Sequence, residues 1–551
     1  MRVAIIAGLG VVLLLGACSP ARRPAPPAIS AKEVAGLDAP EVAASLPLRL
    51  TVPGEGAVLP WSFPSPELRW TDDWYANTFR VRAFASDRTL LAELVTNERA
   101  ARLGASDWEH VRDAVGEGGT FRVEVTGASV LPDGAVLRGP VRATSTVRFS
   151  GAGEHPTGVI LYGQRVRPVG AHMGPVSPHM RDVVARQVDM RGSASYVLAD
   201  LPGMRALRTA LRARHGTLPG LSGPSDATTA PALLNADRER LSADAWGSVD
   251  LSHLARRPGV PTWSLLPFDL PDNCLGCHAL SADRRLVAVN TADPAALPDD
   301  WTATQGSIHV VELATSRVIG VFPGGTTLRF HPTDPDLLLY TATGNSANML
   351  DRLSVFRSDV HVVDLASGRD LPLAGAADPT RCELFPAWSP DGRTVAFSRT
   401  RPGEPCEGST AWFEVATVPY EDGRGGEPGV PEGASVPDQA SLQPTYSPDG
   451  RWLVVYRTTR GWFSRGSADL WVLPATGGSA RKLSVSTDAL ESQHQFSPDG
   501  RWLAFLSNRD RVDRPRGYVA RFFEDGTTAA PVPLPGPEAE QAHLDTLDWT
   551  R

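Results

Sequence analysis

Lysine is almost absent from this 551-residue chain. Only Lys32 and Lys482 occur, so arginine carries nearly all of the positive charge. There is no long basic run and the net charge is −8, which leaves no electrostatic footprint for a nucleic-acid role. Long apolar runs are missing too. The stretch Val3 to Leu15 is almost unbroken, but it is short for a membrane span and about the length of a signal-peptide core. Cysteine is scarce at 5 residues and methionine at 6, so each has to be accounted for singly. What is abundant is glycine, 51, and proline, 48. That is turn-rich and favours many short strands. At 42% hydrophobic residues the composition is globular, and the length suffices for two or more packed cores.

The N-terminus reads as an address. Arg2 precedes the apolar run, which ends in Leu15-Gly16-Ala17-Cys18. Small residues before a cysteine resemble the bacterial lipobox. The resemblance implies cleavage before Cys18, which becomes the lipidated mature N-terminus; an ordinary secretory signal with a chance cysteine is the alternative. Either way the chain is expected to be exported. Ser19 after the cysteine resembles the outer-membrane sorting rule of enteric bacteria. The expected location is therefore the cell envelope, lipid-anchored and facing the periplasm, with the outer membrane favoured over the inner. Residues 18–46 are rich in Ala and Pro and read as a tether.

Export means an oxidising compartment, where an unpaired thiol is a liability. Cys18 is used by the lipid. Cys274 and Cys277 belong to Cys274-Leu275-Gly276-Cys277-His278, the c-type haem attachment string. Two thiols form thioethers with the haem vinyl groups, and His278 supplies the proximal imidazole. A zinc site would need further ligands at short spacing, which are not nearby. A redox dithiol wants a strand-to-helix context, whereas a strand follows here. Cys382 and Cys406 remain, and they can pair as a disulfide. One covalent haem c is thus the expected cofactor, with Cys274, Cys277 and His278 as its site. Candidate sixth ligands are His172, Met173, His179 and Met180, in one short run, and His494. An exposed Pro-rich loop for the run, and a polar channel-lining role for His494, are the competing readings.

Three segments are near copies. Ser389-Pro390-Asp391-Gly392-Arg393, Ser447-Pro448-Asp449-Gly450-Arg451 and Ser497-Pro498-Asp499-Gly500-Arg501 each join two strand-like runs. Pro presets the first turn position and Gly accepts the left-handed one. A third strand follows, as in Asp469 to Leu473. Weaker copies centre on His331-Pro332 and on Ser281-Ala282-Asp283, where Arg284 replaces the glycine. The period, roughly 50 to 60 residues, suits propeller blades with loops. The tail Asp545 to Thr550 looks like a lone inner strand, to be partnered by chain ahead of the repeats such as Val159 to Tyr162 or Tyr196 to Ala199. Five repeats and one composite unit predict six blades, with seven the alternative.

These copies resemble the TolB-type, WD40-like propeller repeat, over about half the chain from Cys274 to Arg551. Some peptidases carry similar propellers before a hydrolase domain, but no Gly-x-Ser-x-Gly elbow occurs here. Ungapped alignment puts Cys274 on Cys382, Cys277 on Phe385 and His278 on Pro386, with His494 at the His278 position. The haem string should then occupy the inner strand of the first blade, or the loop leading into it.

Ahead of the repeats, residues 47–150 alternate in short strands, clearest at Leu68 to Trp70, Phe79 to Phe84 and Phe121 to Val125. They are similar to a fibronectin type III or immunoglobulin-like sandwich. Ser106-Asp107-Trp108-Glu109 predicts a capping box for one helix ending at Gly116.

The expected fold class is all-β: signal peptide 1–17, tether 18–46, sandwich 47–150, a connecting region 151–273 that contributes to a composite blade, and propeller 274–551. The expected function is electron transfer or redox sensing, with an envelope protein or redox partner. The alternatives are a protein-binding propeller scaffold with the haem structural or absent, and a haem oxidoreductase with an open iron site.

Overall fold

The computed structural model describes residues 28–41, 47–73, 75–157, 159–165, 245–250, 263–267, 278–283, 285–292, 306–312, 317–323, 325–343, 358–404, 411–421, 423–459, 468–510, 515–534 and 543–550. Among these the chain is nearly all β. Only two α-helices occur, Ala31–Gly36 and Ala105–Val115.

The N-terminal unit is a two-sheet sandwich. One sheet has three strands, Leu48–Val52, Leu68–Asp72 and Ala100–Ala101. The other has five, ordered Ala57–Leu59, Val136–Phe149, Thr120–Val130, Thr78–Ala85 and Leu90–Thr96. Alternation decides which face is buried. Phe121, Val123 and Val125 are all at 2% exposure or less. Phe121 stacks on Phe149 at 4.8 Å, and Trp108 meets both rings edge-on. Trp108 also donates its indole N–H to the Phe63 carbonyl at 2.9 Å, so its polar atom is satisfied inside the core.

Two local expectations are corrected. The helix at Trp108 starts at Ala105 with Gly104 as N-cap, and no side chain caps it. The Trp108 amide already bonds the Gly104 carbonyl at 2.9 Å, so Ser106 is inside the first turn and cannot serve as cap. A reciprocal capping box does exist, but at Ser30 and Glu33, within the stretch read as tether. There the helix Ala31–Gly36 docks on the sandwich. Leu37 is buried against Ala128 and Val130, and Asp38 pairs with Arg80.

Six further sheets have four strands each. In five of them the strands follow chain order as an antiparallel meander, beginning at His278–Leu280, Gly325–Phe330, Glu383–Trp388, Ala440–Tyr446 and Glu491–Phe496. The sixth is composite. Its order is Trp263–Pro267, Ala245–Asp250, Val159–Arg165, His543–Thr550. The last strand of the chain therefore pairs with Val159–Arg165, the segment that follows the sandwich. First strands of successive sheets lie against one another from His278–Leu280 through to His543–Thr550. Consecutive four-stranded meanders with adjacent inner strands are the architecture of a β-propeller, and the chain is a sandwich followed by a propeller. Tyr196 to Ala199, the other segment considered for the composite sheet, lies outside the described residues.

The repeated turn works as its residues require. Ser389 Oγ donates to Asp391 Oδ1 at 2.5 Å and accepts from the Thr394 amide at 2.9 Å, while Asp391 accepts from the Arg393 amide. Gly392 sits at φ 70°, and a Cβ there would fall 1.9 Å from His331 Nε2; both facts demand glycine. The same bonds recur at Ser447 and Ser497. They also form at Ser281, whose copy lacks the glycine. At His331 the bond differs: the ring Nδ1 accepts from the Asp334 amide, three positions on, at 3.0 Å.

Sandwich and propeller share one core. The apolar cluster of the sandwich continues through Trp502, Ala504, Leu506, Val519 and Val532 to Ile160 and Trp549. The connecting segment is fastened as well. Trp502 donates to the Glu154 carbonyl and Trp549 to the Thr157 carbonyl, each at 2.8 Å.

Candidate functional site: the inner strands of the propeller

Each inner strand from the second sheet to the fifth breaks its register once. At each break one residue adopts a left-handed backbone: Thr327 at φ 53°, Phe385 at 55°, Gln443 at 55° and Gln493 at 52°. A β-branched or bulky residue rarely does so, and these four share no local preference. Their common feature is position, four residues before the turn residue His331, Ser389, Ser447 or Ser497. The bulge is therefore set by packing of the ring, not by side-chain type. The side chains at this position interlock across sheets. Gln443 Nε2 donates to Gln493 Oε1 at 2.8 Å, and the Gln493 amide donates to Gln443 Oε1 at 2.9 Å.

In the first repeat the same sequence position, four before Ser281, is Cys277. Cys277 lies outside the described residues, as do Cys18, His172, Met173, His179, Met180, Cys274 and Cys406. His278 is described at the backbone. It opens the inner strand of the first sheet and pairs with Val289. Cys382 is disulfide-bonded.

His494 differs from expectation. It does not face an open channel; it is 0% exposed, and its Nε2 donates to the Val454 carbonyl at 3.0 Å. That bond fixes the tautomer and leaves Nδ1 as the free lone pair, buried and without a hydrogen-bond partner. Burial lowers the ring's pKa from 6.5 to about 4, with Arg329 nearby acting in the same direction. His494 is thus a neutral ring wedged against the second strand of the preceding sheet.

Two carboxylates were missed from sequence. Glu383 and Glu491 each stand two residues before a bulge and are 0% exposed. Glu491 is fully engaged by Arg509, Ser507 and Thr487. Glu383 accepts only the Asp378 amide, at 3.4 Å, and its Oε2 has no hydrogen-bond partner. Burial chiefly, helped by Asp359 and Asp378, raises its pKa to about 8. The available signal for Glu383 was a charged residue opening an otherwise apolar inner strand; Glu491 opens a polar one and gave none. A third group joins Tyr340, Asp370 and His361. Asp370 accepts from the Tyr340 hydroxyl at 2.7 Å and from His361 Nδ1 at 2.9 Å. Among the described residues no group of three or more His, Cys, Asp or Glu is placed to hold a metal ion, and no helix is long and apolar enough to cross a membrane.

No family model matches the sequence, and no curated protein matches it. Solved structures give likenesses of the propeller. A putative TolB from Agrobacterium tumefaciens aligns at 16% identity and TM-score 0.33, over 49% of this chain and 85% of that one. The hydrazine synthase of Kuenenia stuttgartiensis aligns at 14% and 0.33, over 52% and 80%. The β-propeller domain of the Trilobed protease from Pyrococcus furiosus aligns at 11% and 0.31, over 54% and 78%. Scores this low carry no argument about activity, and the propeller is identified from the chain's own strand order.

Proposed function

We propose that the propeller is a scaffold for one covalent haem c, in an envelope lipoprotein of electron transfer or redox sensing. Cys274 and Cys277 would hold the porphyrin by thioethers, and His278 would ligate the iron. Haem supplies reversible one-electron chemistry when bound. The observation that carries the reading is the place of His278, at the head of the inner strand of the first sheet. A haem attached through a string that ends there would adjoin the inner strand of the sheet and not its outer edge. Cys382 is disulfide-bonded, and pairing with Cys406, the partner proposed here, would leave both cysteines of the string for the porphyrin. The anchor at Cys18 and the envelope location belong to the same proposal, on the strength of the N-terminal sequence.

Expression of the full chain with a haem-maturation system tests it. The purified protein should keep its haem through acid-acetone extraction and give a c-type pyridine haemochrome. Cys274→Ala or Cys277→Ala should reduce the retained haem at least several-fold. A colourless, correctly folded product overturns the cofactor and leaves a binding scaffold.

A further inference from the structure

The described residues include few large apolar side chains that are exposed, and three of them stand at one end of the sandwich. Tyr75 is 83% exposed, Leu137 62% and Leu131 38%. Leu131 and Leu137 flank the tip of the hairpin between strands Thr120–Val130 and Val136–Phe149. Tyr75 is at the same end of the sheet: Thr78 pairs with Ala128, and the Asn77 side chain bonds both the carbonyl and the amide of Val130 at 2.9 Å. The remaining exposed apolar residues are single. Leu90 is at the other end of the same sheet, paired with Phe84, and Val321, Leu371 and Val430 are on the propeller. Scattered singles are ordinary, whereas a local group at a loop tip marks a contact surface.

The same end of the sandwich receives the N-terminal helix. A Cβ on Gly36 would lie 2.8 Å from Val130 Cγ1, and one on Gly134, at the hairpin tip, 3.0 Å from the Lys32 carbonyl. Leu37 is buried on Ala128 and Val130. The chain is therefore pinned to this hairpin from Ser30 onward, and only the 11 residues between Cys18 and Ser30 separate the hairpin from the anchoring residue. A fully extended chain of that length spans at most about 40 Å.

We infer that Tyr75, Leu131 and Leu137 form a membrane-facing tip, which rests on the bilayer that carries the Cys18 lipid. This rests on the lipoprotein reading above. A lipid anchor on a tether leaves the orientation of the folded part free, which a second contact fixes, and an aromatic with two leucines suits the headgroup boundary. The tip also sets an orientation: the hairpin end of the sandwich points to the membrane, and the opposite end, with Leu90, points away.

The test uses full-length protein reconstituted into vesicles of phosphatidylethanolamine and phosphatidylglycerol. An environment-sensitive fluorophore is attached in three variants, Leu137→Cys, Tyr75→Cys and, as control, Leu90→Cys. Expected is a rise in emission of twofold or more at positions 137 and 75 on reconstitution, with quenching by brominated lipid, and no change at 90. Anchored protein in which all three positions respond alike overturns the tip while leaving the anchor intact. Protein that fails to float with vesicles, or floats equally well as Cys18→Ser, overturns the anchor and this inference with it.

Discussion

Glu383 should make the protein less stable as pH rises through the neutral range, and removing its charge should reverse this. Its carboxyl is wholly buried, with one oxygen unbonded. Burial first, then Asp359 and Asp378, raise the pKa from 4.5 to about 8. Between those values the unfolded chain has lost the proton and the folded chain keeps it. Stability from this group is thus fully present below 4.5 and declines until the pH passes 8. At about 1.4 kcal/mol per pH unit over that interval, the ceiling is about 5 kcal/mol. Relaxation and water penetration on ionisation lower it, so about 2 to 3 kcal/mol is the working figure. Glu383→Gln keeps the shape and an acceptor for the Asp378 amide. It should match the wild type near pH 5 and exceed it by about 2 kcal/mol at pH 8. Urea unfolding at pH 5, 6.5 and 8, with the disulfide kept oxidised, measures the difference. Parallel pH profiles for the two proteins refute the argument.

Two further titrations have the opposite sign. Glu154 accepts from the Gly151 amide and from Arg148 and faces Arg521, which lowers its pKa to about 2. Its contribution is present above 4.5 and lost as pH falls through about 2, so Glu154→Gln should cost about 1 to 2 kcal/mol at pH 7, after allowance for solvent screening, and nothing near pH 2. An equal cost at both pH values in thermal unfolding would contradict this. His494, its pKa lowered to about 4 by burial, supports the fold above 6.5 and loses that support as pH falls toward 4. Its ring resonances should stay those of a neutral Nε2–H tautomer at pH 5.5 by nitrogen NMR, and a titration near 6.5 would show the ring to be open to water.

How much of this was legible depended on whether a feature is local. The Ser-Pro-Asp-Gly turns were readable because the bonds that shape them, from serine and aspartate, join residues within five positions, as Ser389 to Thr394 shows. The pairing of His543–Thr550 with Val159–Arg165 was readable because the apolar pattern of both segments is that of strands and a strand needs a neighbour. The helix at Ala31–Gly36 was hidden because it is short and held by Val130, about a hundred residues away. Burial of His494 and Glu383 was hidden for the same kind of reason, since neighbouring strands create it. The Ser106 capping box failed because the true start was decided by Trp108 seeking the core.

The inner-strand bulge joins these two kinds of information. Thr327, Phe385, Gln443 and Gln493 take one backbone conformation despite different chemistries, so the ring dictates the backbone and leaves the side chain free. Such a position accepts substitution by whatever a given sheet requires: an amide pair between the fourth and fifth sheets, an aromatic in the third sheet's core. On the proposed reading the first sheet uses it for the second thioether cysteine. His278 follows at the position held elsewhere by Leu328, Pro386, Pro444 and His494. On that reading the string is tied to the register of the repeat, since its second cysteine stands at the sequence position of the bulge residue in four sister strands. Moving the string by one residue should then cost haem incorporation even with Cys-x-x-Cys-His intact. Inserting one alanine between His278 and Ala279 tests this by haemochrome yield, and undiminished incorporation would separate the haem from the propeller's geometry.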